Sequence, residues 1–223
     1  ASGVLRLHDH PYLRLKGAGT LVAVIDAGID YQHPAFRDGD QSKILSIWDQ
    51  SLTGGRTERI PYGREFTRTQ INEALAAENP LEIVPSTDRN GHGTRLAATA
   101  AGNRILEENF SGAAPEAELV IVKLKPAKKY LRDFYLLPNE AEVFQEDDVM
   151  MAIAFAIRLA KELGVPLSIC VGIGSSQGAH LGTNALSQYV DYVANFSQVS
   201  VSVAAGNEGN TRNHSTGIFS QGR

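Results

Sequence analysis

The chain has 223 residues, 43% of them apolar, which suits one domain with a buried core or most of a larger one. A net charge of -4 gives no footing for nucleic acid or an anionic membrane surface, and a single cysteine excludes an intrachain disulfide. No apolar run is long enough to span a bilayer.

Taken in chain order, the first expected strand is residues 21–25, an unbroken apolar, β-branched run of the kind found in parallel sheets covered on both faces. Residues 43–48 are a further candidate strand. The stretch 49–88 is polar, carries a helical pattern at 69–78 and reads as a surface insertion. A helix of small residues is expected over 94–101, and a strand over 118–124. Residues 126–146 read as a second surface insertion, and the basic run from Lys123 to Arg132 reads as a solvated face. Asp147 and Asp148 open a helix over 148–163, where they can cap it and complement its dipole. Val149, Met150, Ile153, Ile157 and Ala160 share one face of that helix, and Gly164 and Pro166 stop it. A strand at 167–173 holds Cys170, which reads as a small core thiol. A helix at 184–196 and a strand at 199–205 complete the pattern. Alternating strands and helices predict an α/β fold with a doubly wound, mostly parallel sheet flanked by helices.

Three short motifs carry chemistry. In Val24-Ile-Asp26-Ala-Gly28, a carboxylate ends a strand, where parallel sheets place their sites and where it can orient an imidazole. Asp30 reads as a turn residue. In Asn90-Gly-His92-Gly-Thr94, glycines flank a histidine that opens a helix. The helix dipole disfavours the imidazolium and a nearby carboxylate favours it, a balance that suits a general base. In Ala204-Ala-Gly206-Asn207, an amide follows a strand in a tight turn and can donate to a developing oxyanion.

Together and in this order, the motifs resemble the subtilisin-like serine proteases, the subtilases. Leu7-His-Asp-His-Pro-Tyr12, His33-Pro-Ala-Phe36 and the segments 44–49, 70–85 and 174–182 are similar to the clostridial Csp-type spore-germination proteases. The resemblance covers nearly the whole chain. It implies Asp26 as orienting acid, His92 as general base and Asn207 as oxyanion donor, with Gly206 beside it binding substrate. It further implies Gly172-Ile173-Gly174 as a substrate-lining edge strand pairing with an extended peptide. Protein or peptide substrates follow, with the remainder of the same protease and its propeptide as partners. In the spore group the implied substrate is the precursor of a cortex-degrading hydrolase, with a spore or extracytoplasmic location. No cofactor is implied. Calcium is common in the family, but Ala35 stands where many members carry a ligating Asp, and Arg95 stands where many carry a second His.

The family's nucleophile lies in a Gly-Thr-Ser motif, and this sequence contains none. The reading is therefore of the N-terminal part of a protease domain, with the serine outside the chain. On that reading, residues 1–223 alone leave an apolar sheet edge and face uncovered, do not fold autonomously and hydrolyse nothing. The alternative is a catalytically inactive relative acting as sensor or scaffold. Gly174-Ser-Ser176-Gln-Gly178 matches a hydrolase nucleophile elbow with Asp191 and His214 downstream, but it leaves the Asp26 and His92 motifs unexplained. His8 and His10 are too few for a structural zinc site, so no metal ligands are assigned. His180 and His214 read as solvated loop residues near the cleft.

Overall fold

The computed structural model describes residues 3–175, 178, 180–211, 215 and 217; Ser176 and His214 lie outside the described residues. In chain order its elements are α1 (Val4–His8), β1 (Leu21–Asp26), β2 (Arg37–Asp38), β3 (Gln41–Ser42), β4 (Ile44–Asp49), β5 (Arg64–Thr67), α2 (Arg68–Ala76) and α3 (Pro80–Ile83). Then follow α4 (His92–Ala101), β6 (Glu118–Lys123), α5 (Lys129–Phe134), α6 (Glu146–Leu163), β7 (Leu167–Val171), α7 (Ala185–Ala194) and β8 (Val199–Val203).

The main sheet runs β5-β4-β6-β1-β7-β8. Every neighbouring pair is parallel except β4 with β5. This is the doubly wound, mostly parallel α/β architecture expected from the sequence. After β6 the chain crosses through α6 to the opposite side of β1, so the winding reverses at β1. A crevice forms outside the carboxyl ends of strands at such a reversal, and Asp26 ends β1 there.

Alternation along the strands feeds two cores. Ala23, Ile25, Val120, Val122 and Val171 pack with Ile153 and Ala156 of α6. Val22, Val24, Leu119 and Ile121 pack with Ala97 and Ala101 of α4 and with Ile71 and Ala74 of α2. Gly93, Ala97 and Ala101 recur every four residues, so α4 turns its smallest face to the sheet. The helix starts at His92, two residues before the expected boundary, and α6 starts at Glu146 with Gln145 as its N-cap. Asp148 does not stay at the solvated end of α6. It is buried, accepts from Tyr62 Oη at 2.5 Å, and pairs with Lys125.

Several expectations need correction. The stretch 49–88 is more than an insertion: β5 extends the main sheet, and Phe66, Ile71 and Ala74 are buried. The run from Lys123 to Arg132 is not one solvated face. Lys123 pairs with Asp49, Lys125 lies 3.9 Å over the Tyr62 ring, and Arg132 donates to the carbonyls of Pro138, Asn139 and Ala141. Only the Lys129–Asp133 pair is a solvated helix contact of the ordinary kind. Cys170 is half-buried rather than sealed in the core, and burial raises its thiol pKa, with Asp26 adding to the effect.

On the α4 side of the sheet, β7 and β8 border an open groove of about 590 Å³. Its sheet wall is formed by Ser168, Cys170, Ser200 and Ser202, with Ala100 and Ala114 opposite. The expected uncovered face is thus present, and on it serine and cysteine side chains stand beside the apolar Val22.

Lys43 ties the α4 end of this core together. Its ammonium donates to the carbonyls of Ala101 and Pro115, at 2.5 and 2.7 Å, and to Asn103 Oδ1 at 3.0 Å. Ala101 is the last residue of α4, where a cation also complements the dipole. Lys43→Met would strand these acceptors and lower stability by about 2 kcal/mol, read as a fall in the urea midpoint. An unchanged midpoint would remove Lys43 from this role.

Candidate active site

Asp26 is 1% exposed at the end of β1. Its Oδ1 accepts the Ala27 N–H at 2.7 Å. His92 Nδ1 lies 3.0 Å from Oδ1 and 2.9 Å from Oδ2. A carboxylate facing Nδ1 makes that nitrogen the donor and leaves Nε2 as the basic one. The His92 side chain is 49% exposed, so the ring is anchored on its Asp26 side and open on the other.

Two glycines make this approach possible. A Cβ on Gly93 would overlap the Gly28 carbonyl oxygen and crowd the Asp26 side chain. A Cβ on Gly172 would overlap Asp26 Oδ2. The α4 N-terminus and the end of β7 therefore close on the carboxylate from two sides, at distances that only glycine permits. Among the described residues this leaves no room beside Asp26 for a further side chain at either position.

The loop before α4 is fixed by a residue that sequence reasoning missed. Asp88 accepts the Thr94 N–H and Oγ–H at 2.9 and 2.7 Å, and the Gly91 N–H at 3.0 Å. Burial pushes the Asp88 pKa up, but these donors outweigh it and leave the pKa lowered. Thr94 Oγ1 in turn accepts the Asp30 N–H at 2.9 Å, which joins this loop to the β1 turn. Asp30 serves that turn and accepts the Gln32 N–H. Asn90 Oδ1 accepts the His92 N–H at 2.7 Å. An acidic residue four positions before the histidine, in a polar turn, was the available signal.

Asn207 lies elsewhere on the same sheet edge. It follows Gly206, whose φ is 85°, just beyond β8. A Cβ on Gly174 would sit 2.9 Å from the Ala204 carbonyl oxygen, so Gly174 runs beside the segment leading to Asn207. Gly172, Ile173 and Gly174 thus bridge the space between Asp26 and the Asn207 turn. They are not an edge strand, however. The strand stops at Val171, and β7 is interior, between β1 and β8. His8 and His10 are each engaged within the fold, His8 Nε2 with the Ala113 carbonyl and His10 Nδ1 with the Tyr12 and Leu13 N–H groups. Among the described residues no helix follows Gly178 directly, since α7 begins at Ala185, which does not match a nucleophile elbow.

The model of the subtilase family matches residues 17–221. The chain is a member of the subtilase family.

Among subtilases of known structure it is similar to the CspB protease of Clostridium perfringens, at 28% identity and a TM-score of 0.78, covering 93% of this chain and 40% of that one. Sphericase, at 24% identity and a TM-score of 0.57, shares the fold. A C5a peptidase of Streptococcus pyogenes is 34% identical over 115 residues, covering 49% of this chain and 9% of the peptidase. A subtilisin-like protease of Arabidopsis thaliana is 27% identical over 127 residues, covering 49% of this chain and 15% of the plant protein. The chain therefore spans well under two thirds of each of these relatives.

Two outcomes are expected of this site. Gly172→Ala forces a methyl against the Asp26 carboxylate and lowers stability by about 2 kcal/mol, read as a fall in Tm. An unchanged Tm would mean that the strand end relaxes freely. Asp88→Asn tests the loop by its pH dependence. A lowered folded-state pKa adds stability above the ordinary value of 3.8, which is lost as pH falls through the folded value. The difference in urea midpoint between the parent and Asp88→Asn should therefore shrink as the pH drops below that value, and a constant difference would contradict the assignment.

Proposed function

We propose that this chain supplies the acid, the base and one oxyanion donor of a serine endopeptidase whose nucleophile lies in a further part of the same protease. The observation that carries the reading is the His92 Nδ1–Asp26 contact, with the rest of the imidazole half-exposed. Subtilase membership supports it. The absence of a Gly-Thr-Ser motif from the sequence supports placing the nucleophile outside.

In the proposed reaction, a serine Oγ attacks the scissile carbonyl carbon while His92 Nε2 takes the hydroxyl proton. Asp26 holds the ring in the tautomer with hydrogen on Nδ1 and stabilises the imidazolium. The tetrahedral oxyanion takes a hydrogen bond from the Asn207 amide. Collapse breaks the C–N bond, and His92 passes its proton to the leaving amine. Water then repeats the sequence on the acyl-enzyme and frees the serine. The peptide lies extended along the backbone at Gly172, Ile173 and Gly174.

The remainder of the protease is proposed to cover the groove over β7 and β8, where Ser168, Cys170, Ser200 and Ser202 would admit a closely packed element. The proposed substrate is a precursor protein processed in spore germination, which rests on the resemblance of the segments quoted above to Csp-type proteases; the similarity to the CspB protease fits that group. The second reading, an inactive subtilase acting as sensor or scaffold, is favoured only by the lack of a serine motif in this sequence.

Fluorophosphonate labelling separates the two. The full protease should take up the label, and residues 1–223 alone should not. In the active form, His92→Ala should abolish labelling, and Asn207→Ala should cut kcat by about 100- to 1,000-fold. A label on a serine of residues 1–223 would overturn the assignment. A full-length protein that resists labelling would favour the scaffold.

A further inference from the structure

We infer that Asp49 is a positioning residue for the Asp26–His92 pair, holding the Lys123 ammonium away from the Asp26 carboxylate. Asp49, Lys123 and Asp26 are register partners at the carboxyl ends of β4, β6 and β1. Partners in register point to the same face of a sheet. For these three it is the α4 face, because Ile47, Ile121 and Val24, two residues earlier on each strand, belong to the core beneath α4. A lysine therefore stands between two buried carboxylates, with one strand spacing to each.

Lys123 chooses Asp49. Its Nζ lies 3.3 Å from Asp49 Oδ2 and forms no ion pair with Asp26 among the described residues. Asp49 is fully buried and fixed by further donors. Ser51 gives its N–H and Oγ–H to Oδ1 at 2.9 and 2.5 Å, and Ser86 gives its Oγ–H to Oδ2 at 2.7 Å. Ser86 belongs to the same loop as Asp88, which leads into His92. The anchor of Lys123 is thus also an anchor of that loop.

Removing the Asp49 charge leaves an ammonium that is only 15% exposed and has lost its anion. An unpaired buried charge is costly, and Asp26 is the next anion in register. A lysine bound to Asp26 would compete with His92 Nδ1–H for the carboxylate, and the imidazole would lose its orientation. The inference rests on the catalytic reading of Asp26 and His92.

The test uses the full protease labelled with ¹⁵N-histidine. The readout is the far-downfield proton resonance of His92 Nδ1–H hydrogen-bonded to Asp26, alongside kcat and KM. Asp49→Asn should lose the resonance and lower kcat by about 100-fold with little change in KM, as expected of a misplaced catalytic group. Lys123→Met should keep the resonance, since the competitor is gone. The double variant Asp49→Asn/Lys123→Met should restore it, an outcome that a purely structural role for Asp49 would not give. If Asp49→Asn does not fold, Asp49→Asn/Ser86→Asp returns an anion to the reach of Lys123 and should show the resonance. A folded Asp49→Asn that retains the resonance, or a folded rescue variant that lacks it, overturns the inference. The resonance needs no nucleophile. The variant pattern without turnover in the parent would therefore support the inference while sinking the protease reading.

Discussion

The structure depends on keeping one carboxylate dry and fully engaged. A buried charge is tolerated only when it is paired and hydrogen-bonded. Around Asp26 this is met by a backbone N–H from Ala27 and by the His92 imidazole. The first is a contact between chain neighbours, while the burial of the carboxylate needs backbone closer than a side chain allows, which Gly93 and Gly172 provide. The reversal of winding at β1 brings those two glycines to one point, because it places α4 over one face and β7 alongside. Topology, backbone and charge are thus satisfied together or not at all.

The same logic extends along the strand ends. Asp49 and Lys123 continue the row begun by Asp26, and Lys125 with Asp148 and Tyr62 forms a second polar cluster beyond it. The Tyr62 hydroxyl pKa is raised by burial first and by Asp148 second. Gln50 links the two clusters, since its N–H donates to the Lys123 carbonyl at 2.9 Å and its side-chain amide to the Asp148 carbonyl at 3.0 Å. Groups of this kind cost stability unless they are satisfied, and when satisfied they admit one arrangement of the surrounding loops. The cleft-side loops are therefore specified by polar contacts, while the layers below are specified by apolar packing.

This division explains what the sequence made legible. The strands at 21–26 and 118–123 and the helix over α6 announced themselves because long apolar periodicities have few alternatives. The Asp26 and His92 motifs were readable because each packs its own glycines and polar residue into five or so positions. Four-residue β5 was not readable: only Phe66 is buried on it, and its antiparallel pairing with β4 is set by tertiary contact. Nor was the extent of β7, since Gly172 looks like one more residue of an apolar run until Asp26 is placed beside it. Lys123 read as solvent-facing because its partner is 74 positions away in the chain, and such pairings leave no local pattern. Asp88 fell between these cases, as a local turn whose hydrogen-bond donors include a residue on the following helix.

The two borders of the main sheet differ in kind. At one side β5 presents Arg64, Glu65 and Thr67 on a strand of four residues that runs against its neighbour. Short length, charge and reversed direction are the devices by which proteins blunt an edge against further strands. At the other side β8 is a run of valine and serine, Val199–Val203, with Val203 51% exposed and, among the described residues, no such guard. Among the described residues, recruitment of an additional strand is thereby directed to the β8 border and away from β5.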